Sequence, residues 1–382
     1  MKALVTAELS REGRSRLEAL GYSVVSAGWG VTRSPLDPPA LVAAAAGASL
    51  VVVEIETVDA AVLDALPDVR IVASARGLPT NVDVAAASAR GIPVLHTPGR
   101  NAASVADFTI GLILAQCRSL ARGQDHLRRV GWHVDGELPY LHFRGPELAG
   151  RTLGLVGYGA VGREVARRAV GGFAMRVVVS DPHVVEVEAP VERIPLERLL
   201  AESHVVSLHC PLTLDTTGLI GERELAMMRS DAVLVNTARA GVVDEAALVA
   251  ALTGGRLAGA ALDVFWTEPL PRSHPLLTLG NVTLTPHLAG AADDVVLRHS
   301  AMIVDDVEAL LAGRRPRFLA NSEVWPGPAD DRAERDDAEE LDAVVVSGGE
   351  RARRPGAATS HGDRAPDRNL DVTPPRRGRN PS

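Results

Sequence analysis

The sequence predicts an α/β protein with two doubly wound parallel sheets, and three observations support this prediction. Short apolar strands alternate with helices along most of the chain, a pattern typical of parallel sheets covered on both faces. One strand–helix unit, at 150–182, has a glycine-rich turn between its strand and its helix. The chain has 382 residues, 46% of them hydrophobic, which is enough for two domains with buried cores.

The first hundred residues form one alternating series without a glycine fingerprint, so we expect this domain to supply something other than a cofactor site. A long apolar helix is predicted next, over 101–122, followed by an irregular segment at 128–145. The predicted strands of the first domain are 2–7, 22–27, 50–53, 72–75 and 93–96, and its predicted helices are 11–20, 39–46 and 83–90.

The glycine-rich turn follows an apolar strand at 152–156 directly and reads Gly157-Tyr158-Gly159-Ala160-Val161-Gly162. Gly157 permits a tight turn, Gly159 lets the backbone approach a pyrophosphate, and Gly162 allows close helix packing. Asp181 ends the second strand, where its carboxylate can accept hydrogen bonds from ribose hydroxyls, which favours NAD over NADP. The motif alone is weak, but its strand–turn–helix–strand context predicts a dinucleotide site.

The alternation continues beyond Asp181 and predicts a complete nucleotide-binding domain. From residue 327 onward Asp, Glu, Arg, Pro and Gly dominate, so we predict a disordered tail over 327–382. The predicted elements of this half are helices at 161–170, 195–202, 222–228, 245–253 and 291–312, and strands at 176–180, 205–209, 232–236, 259–263 and 282–285.

Composition excludes several classes of function. The net charge of −8 disfavours a nucleic-acid or anionic-membrane partner, and Lys2, the only lysine, argues against Walker A and Schiff-base chemistry. Cys117 and Cys210 lie far apart without a CxxC partner, so neither a disulfide framework nor a metal site is indicated. With no signal peptide or membrane span predicted, we expect a cytoplasmic protein.

Candidate chemistry lies at the carboxyl ends of the predicted strands, where open parallel sheets bind ligands. These ends place Arg239, Asp263 and His287 near one edge, with Glu268 in the loop after Asp263. A cation can hold a carboxylate, an imidazole can exchange a hydroxyl proton, and a carboxylate can tune that imidazole. Beside a dinucleotide, this set is sufficient for hydride transfer to a 2-oxo acid.

These motifs resemble the D-isomer-specific 2-hydroxyacid dehydrogenase family over about residues 1–325. The resemblance rests on the glycine turn with Asp181, on 236–241 (NTARAG), on 261–265 (ALDVF) before Glu268-Pro269-Leu270, and on 285–290 (TPHLAG). It implies that Arg239 holds the substrate, that His287 is the acid/base and that Glu268 tunes it, while Asp263 anchors the nicotinamide. The cofactor contacts implied are Gly157, Gly159, Ala160, Val161, Gly162, Asp181, His209, Cys210, Pro211, Thr216, Thr237, Ala238, Arg239, Asp263, His287 and Gly290.

The resemblance also implies an architecture, a cofactor and a substrate class. A Rossmann-type NAD-binding domain, 100–287, would be inserted into a flavodoxin-like substrate domain formed by 1–99 and 288–326. The protein would be a homodimer acting on a small 2-hydroxy or 2-oxo acid. The substrate contacts expected are Arg76, Gly77, Asn101, Arg239 and His287.

The loop at 75–83 departs from the family, which has a glycine-rich loop there whose amides receive the substrate carboxylate. Leu78-Pro79 stiffens this loop and removes one amide donor. Arg76 can offset that loss by binding a second carboxylate or a phosphate, and an exposed arginine without a ligand is the equal alternative.

Two other functions are alternatives to the dehydrogenase hypothesis. Formate oxidation is disfavoured because that branch of the family has glutamine where this chain has Glu268. An NAD(H)-sensing interaction protein, like the corepressors that share the fold, would bind the cofactor with little turnover. Turnover of NADH with 2-oxo acids discriminates between this alternative and a dehydrogenase.

Overall fold

Two separate parallel sheets organise the computed structural model, which describes residues 1–325. The predicted disordered tail, 327–382, lies outside the described residues. The first sheet contains β1 (Lys2–Val5), β2 (Ser23–Ser26), β3 (Leu50–Val53), β4 (Ile71–Ser74) and β5 (Val94–Leu95). The second contains β6 (Thr152–Val156), β7 (Arg176–Ser180), β8 (Glu192–Arg193), β9 (Val205–Leu208), β10 (Val233–Asn236), β11 (Gly259–Leu262) and β12 (Val282–Leu284).

Helices connect the strands and cover both sheets, as the alternating pattern predicts. The α-helices are α1 (Arg11–Ala19), α2 (Trp29–Thr32), α3 (Pro38–Ala45), α4 (Ala60–Asp64), α5 (Val84–Ala89), α6 (Ala102–Cys117), α7 (Leu120–Arg129), α8 (Pro139–His142), α9 (Ala160–Phe173), α10 (Leu196–Glu202), α11 (Glu222–Met227), α12 (Glu245–Thr253) and α13 (Asp293–Leu311). Single 3-10 turns lie at Ala240–Val242, Pro275–Thr278 and Ser322–Val324.

The strand orders confirm the predicted fold class. The first sheet runs β2-β1-β3-β4-β5, which is the flavodoxin-like order. The second runs β8-β7-β6-β9-β10-β11-β12, so its first six strands have the Rossmann order, with β6 and β9 at the switch point. In sheets of this order, ligands bind at the switch point, because the loops after the two adjacent strands leave the sheet in opposite directions.

The central strands form because their residues are apolar on both faces. All four residues of β3 are buried, as are all five of β6, which suits a sheet that helices cover on both sides. Short polar side chains begin several helices. Asp37, Asp59, Asp83 and Asp244 each accept a hydrogen bond from a backbone amide of the first turn.

The end of the described chain returns to the first sheet. Ile303, Val304 and Val307 of α13 are buried in the same hydrophobic cluster as residues of β1 and β3. Beyond α13, the side chain of Asn321 is 1% exposed, accepts a hydrogen bond from the Val94 amide (2.8 Å) and donates one to the Ile92 carbonyl (2.9 Å). The amide group of Asn321 thus takes the place of a neighbouring backbone peptide along β5.

The prediction of one helix over 101–122 is wrong, because the helix breaks after Cys117. Ser119 adopts a left-handed φ of 52° and α7 begins at the next residue. Gly145 packs against the last turn of α6 so closely that a Cβ there would lie 1.9 Å from the Cys117 carbonyl oxygen. Packing by this distant segment occupies the space beside the end of α6, which no local sequence pattern reports.

Three short elements also escaped prediction, namely α2, α4 and β8. Each has six residues or fewer, which is too short for periodicity to reveal. The segment predicted as irregular, 128–145, contains α8 and a bridge between Val134 and Glu137. Within residues 1–325, no helix combines the length and the apolar character needed to cross a bilayer.

Candidate active site

The glycine turn has the geometry that a dinucleotide needs. Gly157 has a left-handed φ of 96°, and a Cβ there would lie 2.6 Å from the backbone nitrogen of Cys210. A Cβ at Gly162 would lie 2.4 Å from the Gly157 carbonyl oxygen. At Gly159, by contrast, a Cβ would meet no atom within 4 Å among the residues described. The first and third glycines are therefore required by packing, and the second leaves open space beside the backbone.

The start of α9 presents amides to that space. Gly159 caps the helix without a side-chain hydrogen bond, so the first amides of α9, at Ala160, Val161 and Gly162, have no partner inside the helix. An anion held there interacts favourably with the amides and the helix dipole. The residues present fit the pyrophosphate of a dinucleotide.

Asp181 lies at the end of β7 and helps to shape the same turn. Its Oδ2 accepts a hydrogen bond from the Tyr158 amide (2.7 Å), and its Oδ1 accepts one from the His183 amide (2.9 Å). Arg193, on the neighbouring strand β8, donates to the Asp181 carbonyl at 3.2 Å. No sequence pattern pointed to this arginine, because β8 was not predicted.

The loop after β9 closes over the glycine turn. The backbone amide of His209 donates to Val156 of β6 at 2.7 Å, and the imidazole contacts the Ser207 hydroxyl through Nε2 at 2.9 Å. Its Nδ1 is buried and has no hydrogen-bond partner within the described chain. Burial lowers the pKa of His209 to about 3, so this imidazole is neutral. Further along, Thr216 donates to the Pro211 carbonyl at 2.6 Å and closes the loop on itself.

The loop after β10 is held by the side chain of Asn236. Its Oδ1 accepts from the Ala238 amide and its Nδ2 donates to the Arg239 carbonyl, each at 3.0 Å. Thr237 contacts Thr109 of α6 through the two hydroxyls (2.8 Å). The Arg239 guanidinium is exposed, donates to the Ala238 carbonyl at 2.7 Å and is close enough to Glu268 to influence its ionisation.

Asp263 is the buried centre of the site and is 0% exposed. Its Oδ1 accepts from the Thr285 hydroxyl (2.6 Å) and the Leu288 amide (2.8 Å), and its Oδ2 accepts from the Ala289 amide (2.8 Å). Its backbone carbonyl accepts from the His287 amide at 2.8 Å. Four hydrogen bonds to Asp263 therefore fix the loop at 285–289.

This loop holds His287 in an unusual backbone conformation, with a left-handed φ of 56°. Nδ1 of His287 contacts Oε2 of Glu268 at 2.8 Å, while Oε1 of Glu268 accepts from the Phe265 amide at 3.0 Å. Partial burial opposes ionisation of Glu268, but the bonds from His287 and Phe265 and the charge of Arg239 hold its pKa below the usual range. Since the carboxylate can only accept, Nδ1 carries a proton and Nε2 is left to face a ligand.

The loop after β4 leaves backbone donors free. The carbonyl of Arg76 accepts from the Thr97 amide (2.9 Å), and that of Gly77 accepts from Nδ1 of His96 (2.8 Å). The amides of Gly77 and Leu78 have no acceptor among residues 1–325. These two adjacent donors thus remain available although Pro79 has none. Neither His96 nor Thr97 was predicted as functional, because their contacts join separate strand ends.

Arg76 is partly exposed and its Nη1 donates to the Thr80 hydroxyl at 3.2 Å, which leaves its other guanidinium donors available. The start of α6 joins the two halves of the site: Ser104 donates to the Ala289 carbonyl at 2.9 Å. Asn101 lies beside Gly290, where a Cβ would come 3.2 Å from its Nδ2. Arg100, in contrast, is paired with Glu54 (2.9 Å) and contacts His299 (2.7 Å).

Comparison with known proteins agrees with this geometry. Residues 110–289 match the model of the D-isomer specific 2-hydroxyacid dehydrogenase, NAD binding domain. A glyoxylate reductase of Korarchaeum cryptofilum is 43% identical over 276 residues, which cover 70% of this chain and 81% of the relative. The chain belongs to the D-isomer specific 2-hydroxyacid dehydrogenase family.

Other members of the family show the same similarity. A hydroxypyruvate reductase of Thermotoga maritima is 38% identical over 68% of this chain and 83% of its own length. The crystal structure of a Thermus thermophilus protein is 37% identical with a TM-score of 0.73, covering 84% of this chain and all of that one. An NADPH-dependent glyoxylate/hydroxypyruvate reductase from Sinorhizobium meliloti has a TM-score of 0.71 at 29% identity, over 85% and 98% of the two chains.

Membership of this 2-hydroxyacid dehydrogenase family confirms the predicted activity class. The protein is an NAD(P)-dependent oxidoreductase that interconverts a 2-hydroxy acid and its 2-oxo acid. The alternative of a sensing protein with little turnover is not favoured, since the relatives are named as reductases and dehydrogenases.

The buried imidazole of His209 predicts a specific dependence of stability on pH. Its pKa is about 3 in the folded protein against an ordinary 6.5, so below pH 6.5 the unfolded chain binds a proton that the folded protein does not. As the pH falls below 6.5, protonation of His209 in the unfolded chain therefore lowers the free energy of unfolding, by at most about 1.4 kcal/mol for each pH unit. His209→Gln, which can still reach Ser207, should lose less stability than wild type between about pH 8 and pH 5 in urea unfolding.

Ser207→Ala serves as the control because it removes the hydrogen bond and leaves the imidazole. It should lower stability at both pH values and keep the wild-type slope. If His209→Gln and wild type show the same slope, the imidazole is not held neutral by burial.

Proposed function

We propose that His287 is the acid/base of the reaction, that Glu268 holds and tunes its imidazole, and that Arg239 binds the substrate. The observation that supports this most directly is the 2.8 Å contact between His287 and Glu268 at the carboxyl edge of the second sheet. The contact occupies Nδ1 of His287 and leaves Nε2 available for proton transfer, and the positive charge of Arg239 lies near the same carboxylate. The bound cofactor would supply the hydride as NADH in reduction and accept it as NAD⁺ in oxidation.

The side chains of the protein transfer the proton to or from the substrate oxygen and stabilise its charge. In reduction, protonated His287 donates a proton from Nε2 to the carbonyl oxygen as that oxygen gains negative charge. In oxidation, neutral His287 removes the hydroxyl proton. Glu268 stabilises the protonated imidazole, and the Arg239 guanidinium polarises the carbonyl and binds the substrate carboxylate.

We propose that the substrate carboxylate also binds the free amides of Gly77 and Leu78, and that Asn101 is a further substrate contact. Two backbone N–H groups without an acceptor are a suitable partner for a carboxylate. The open guanidinium donors of Arg76 lie in the same loop and support a second anionic group on the substrate, a carboxylate or a phosphate.

For the cofactor, we propose that the turn at 157–162 holds the pyrophosphate and that Asp181 accepts hydrogen bonds from the adenosine ribose. Both Asp181 oxygens already accept one backbone amide each, which fixes the carboxylate at the end of β7. A 2′-phosphate would meet this negative charge, which supports a preference for NAD. The remaining contacts proposed are His209, Cys210, Pro211, Thr216, Thr237, Ala238, Asp263 and Gly290.

The role of His287 predicts that His287→Gln lowers kcat by a factor of about 100 or more in both directions, because general acid–base catalysis contributes on that scale. Glu268→Gln should lower kcat less strongly. In wild type, reduction should have its optimum at lower pH than oxidation, since the two directions need opposite protonation states of one imidazole. Steady-state assays with NADH and glyoxylate or hydroxypyruvate, and with NAD and the corresponding hydroxy acids, measure these effects.

The chain offers a matched control in a second histidine–glutamate pair. His274, which caps the 3-10 turn at Pro275–Thr278, contacts Glu245 at 2.7 Å. His274→Gln and Glu245→Gln should leave kcat close to wild type. Equal losses in the two pairs, or a common pH optimum for both directions, would rule out the role of His287.

The proposed role of Arg76 predicts that substituting it raises KM selectively for substrates with a second anionic group. Arg76→Gln should raise KM for a 2-oxo dicarboxylate such as oxaloacetate by about tenfold or more, because a charge-assisted hydrogen bond is lost, with little change for glyoxylate. Arg70 precedes the amino end of β4, so Arg70→Gln is the control. If Arg76→Gln affects the two substrates equally, Arg76 does not recognise a second anion.

We propose that the protein is a cytoplasmic homodimer, with a domain division at residues 99 and 288. Free thiols at Cys117 and Cys210 suit a reducing compartment. The segment 120–141 exposes seven large apolar side chains, a density that supports an interface. They are Leu120, Leu127, Val130, Trp132, Leu138, Tyr140 and Leu141.

The dimer predicts a sedimentation mass near twice that of the chain, which is 40.2 kDa. Leu127→Asp combined with Trp132→Ser should shift the protein to monomer in sedimentation velocity, because charge and polarity disfavour burial of this segment. As a control, Val185→Asp alters an apolar side chain that is 84% exposed on the loop after β7 and should leave the mass unchanged. A monomer in the wild-type protein would reject the proposal.

A further inference from the structure

We infer that His96 is a positioning residue that aims the amides of Gly77 and Leu78 at the substrate carboxylate. The inference rests on the proposed function of this loop and extends it to a residue at the end of a neighbouring strand. His96 follows β5, while Gly77 follows β4. The contact between them, from Nδ1 of His96 to the Gly77 carbonyl oxygen, is 2.8 Å long.

The geometry of the peptide bond gives this contact its effect. In a trans peptide, the carbonyl of one residue and the N–H of the next point in opposite directions. Thr97 holds the carbonyl of Arg76 and His96 holds that of Gly77, so both peptide planes are fixed from the side of β5. The N–H groups of Gly77 and Leu78 must therefore point away from His96 and Thr97.

Those two N–H groups have no acceptor in the part of the chain that the structure describes. They lie just beyond the carboxyl end of β4, which is where a ligand binds in a sheet of this type. Rotation of the Gly77–Leu78 peptide would turn one donor away and present a carbonyl oxygen, which repels a carboxylate. The hydrogen bond from His96 opposes that rotation, since the carbonyl would lose its partner.

The imidazole of His96 is itself held in place. Its ring meets the ring of Phe318 edge to face, with centroids 6.5 Å apart and planes at 84°. Its backbone amide donates to the Phe318 carbonyl at 3.2 Å. Because a carbonyl oxygen only accepts, Nδ1 of His96 carries a proton and acts as donor in the neutral and charged forms alike. The segment after α13 thus fixes the histidine that fixes the loop.

Three substitutions at this position separate the hydrogen bond from the bulk of the ring. His96→Phe keeps an aromatic ring beside Phe318 and removes the donor. His96→Asn places a side-chain N–H at the position of Nδ1, because its nitrogen is also bonded to Cγ. His96→Gln places the N–H one bond further out, where it does not match.

We expect His96→Phe and His96→Gln to raise KM for the 2-oxo acid by about tenfold, equivalent to about 1.4 kcal/mol. The inhibition constant of oxamate, a carboxylate that cannot be reduced, should rise by the same factor. The value of kcat should stay within about twofold and the dissociation constant of NADH should not change, since neither depends on this loop. His96→Asn should restore KM and oxamate binding to near the wild-type values.

A general structural role for His96 would instead lower kcat, raise KM and weaken NADH binding together, or would not distinguish Asn from Gln. His274→Gln, which serves as a control for the His287 pair, is also the control here for loss of an imidazole. Equal KM for the Asn and Gln variants overturns the inference, and this comparison decides the matter even if the Phe variant fails to fold. An inactive wild-type enzyme would contradict the proposed function, whereas an active one with unchanged KM in the His96 variants contradicts only this inference.

Discussion

The buried carboxylate of Asp263 is the constraint on which the catalytic geometry depends. It is 0% exposed, and a charge taken out of water is tolerated only when its oxygens are well hydrogen-bonded. Thr285, Leu288 and Ala289 supply those hydrogen bonds, and each bond fixes part of the loop that contains His287. Burial at the end of β11 thus turns a short loop into a rigid support for an imidazole.

The first sheet uses the same principle with backbone groups. At its carboxyl edge, two carbonyls after β4 are satisfied from the end of β5. Satisfying one side of a peptide leaves the other side free for a ligand. The two sheets therefore contribute different groups: side chains at the carboxyl edge of the second, backbone amides at that of the first.

Two ion pairs differ in how far they are exposed to solvent, and the difference matches their different positions in the molecule. Glu268 and His287 remain partly exposed, with side chains 39% and 51% accessible, so a ligand can reach the imidazole. The pair of Arg100 and Glu54 is far less exposed, at 17% and 14%, and includes His299 of α13. Because the pair of Arg100 and Glu54 is more buried and also contacts His299, it links segments that are distant in sequence.

Local patterns in the sequence determined most of the strands, the glycine turn and the order of the two α/β series. Apolar runs and glycines act over a few residues, so β3, β6 and the turn at 157–162 were predictable without the rest of the chain. Tertiary packing alone decided the break after Cys117, the strand β8, the contacts of His96 and Arg193, and the return of Asn321 to β5. Each depends on contact between segments far apart in sequence, and such contacts leave no periodic signal in either one.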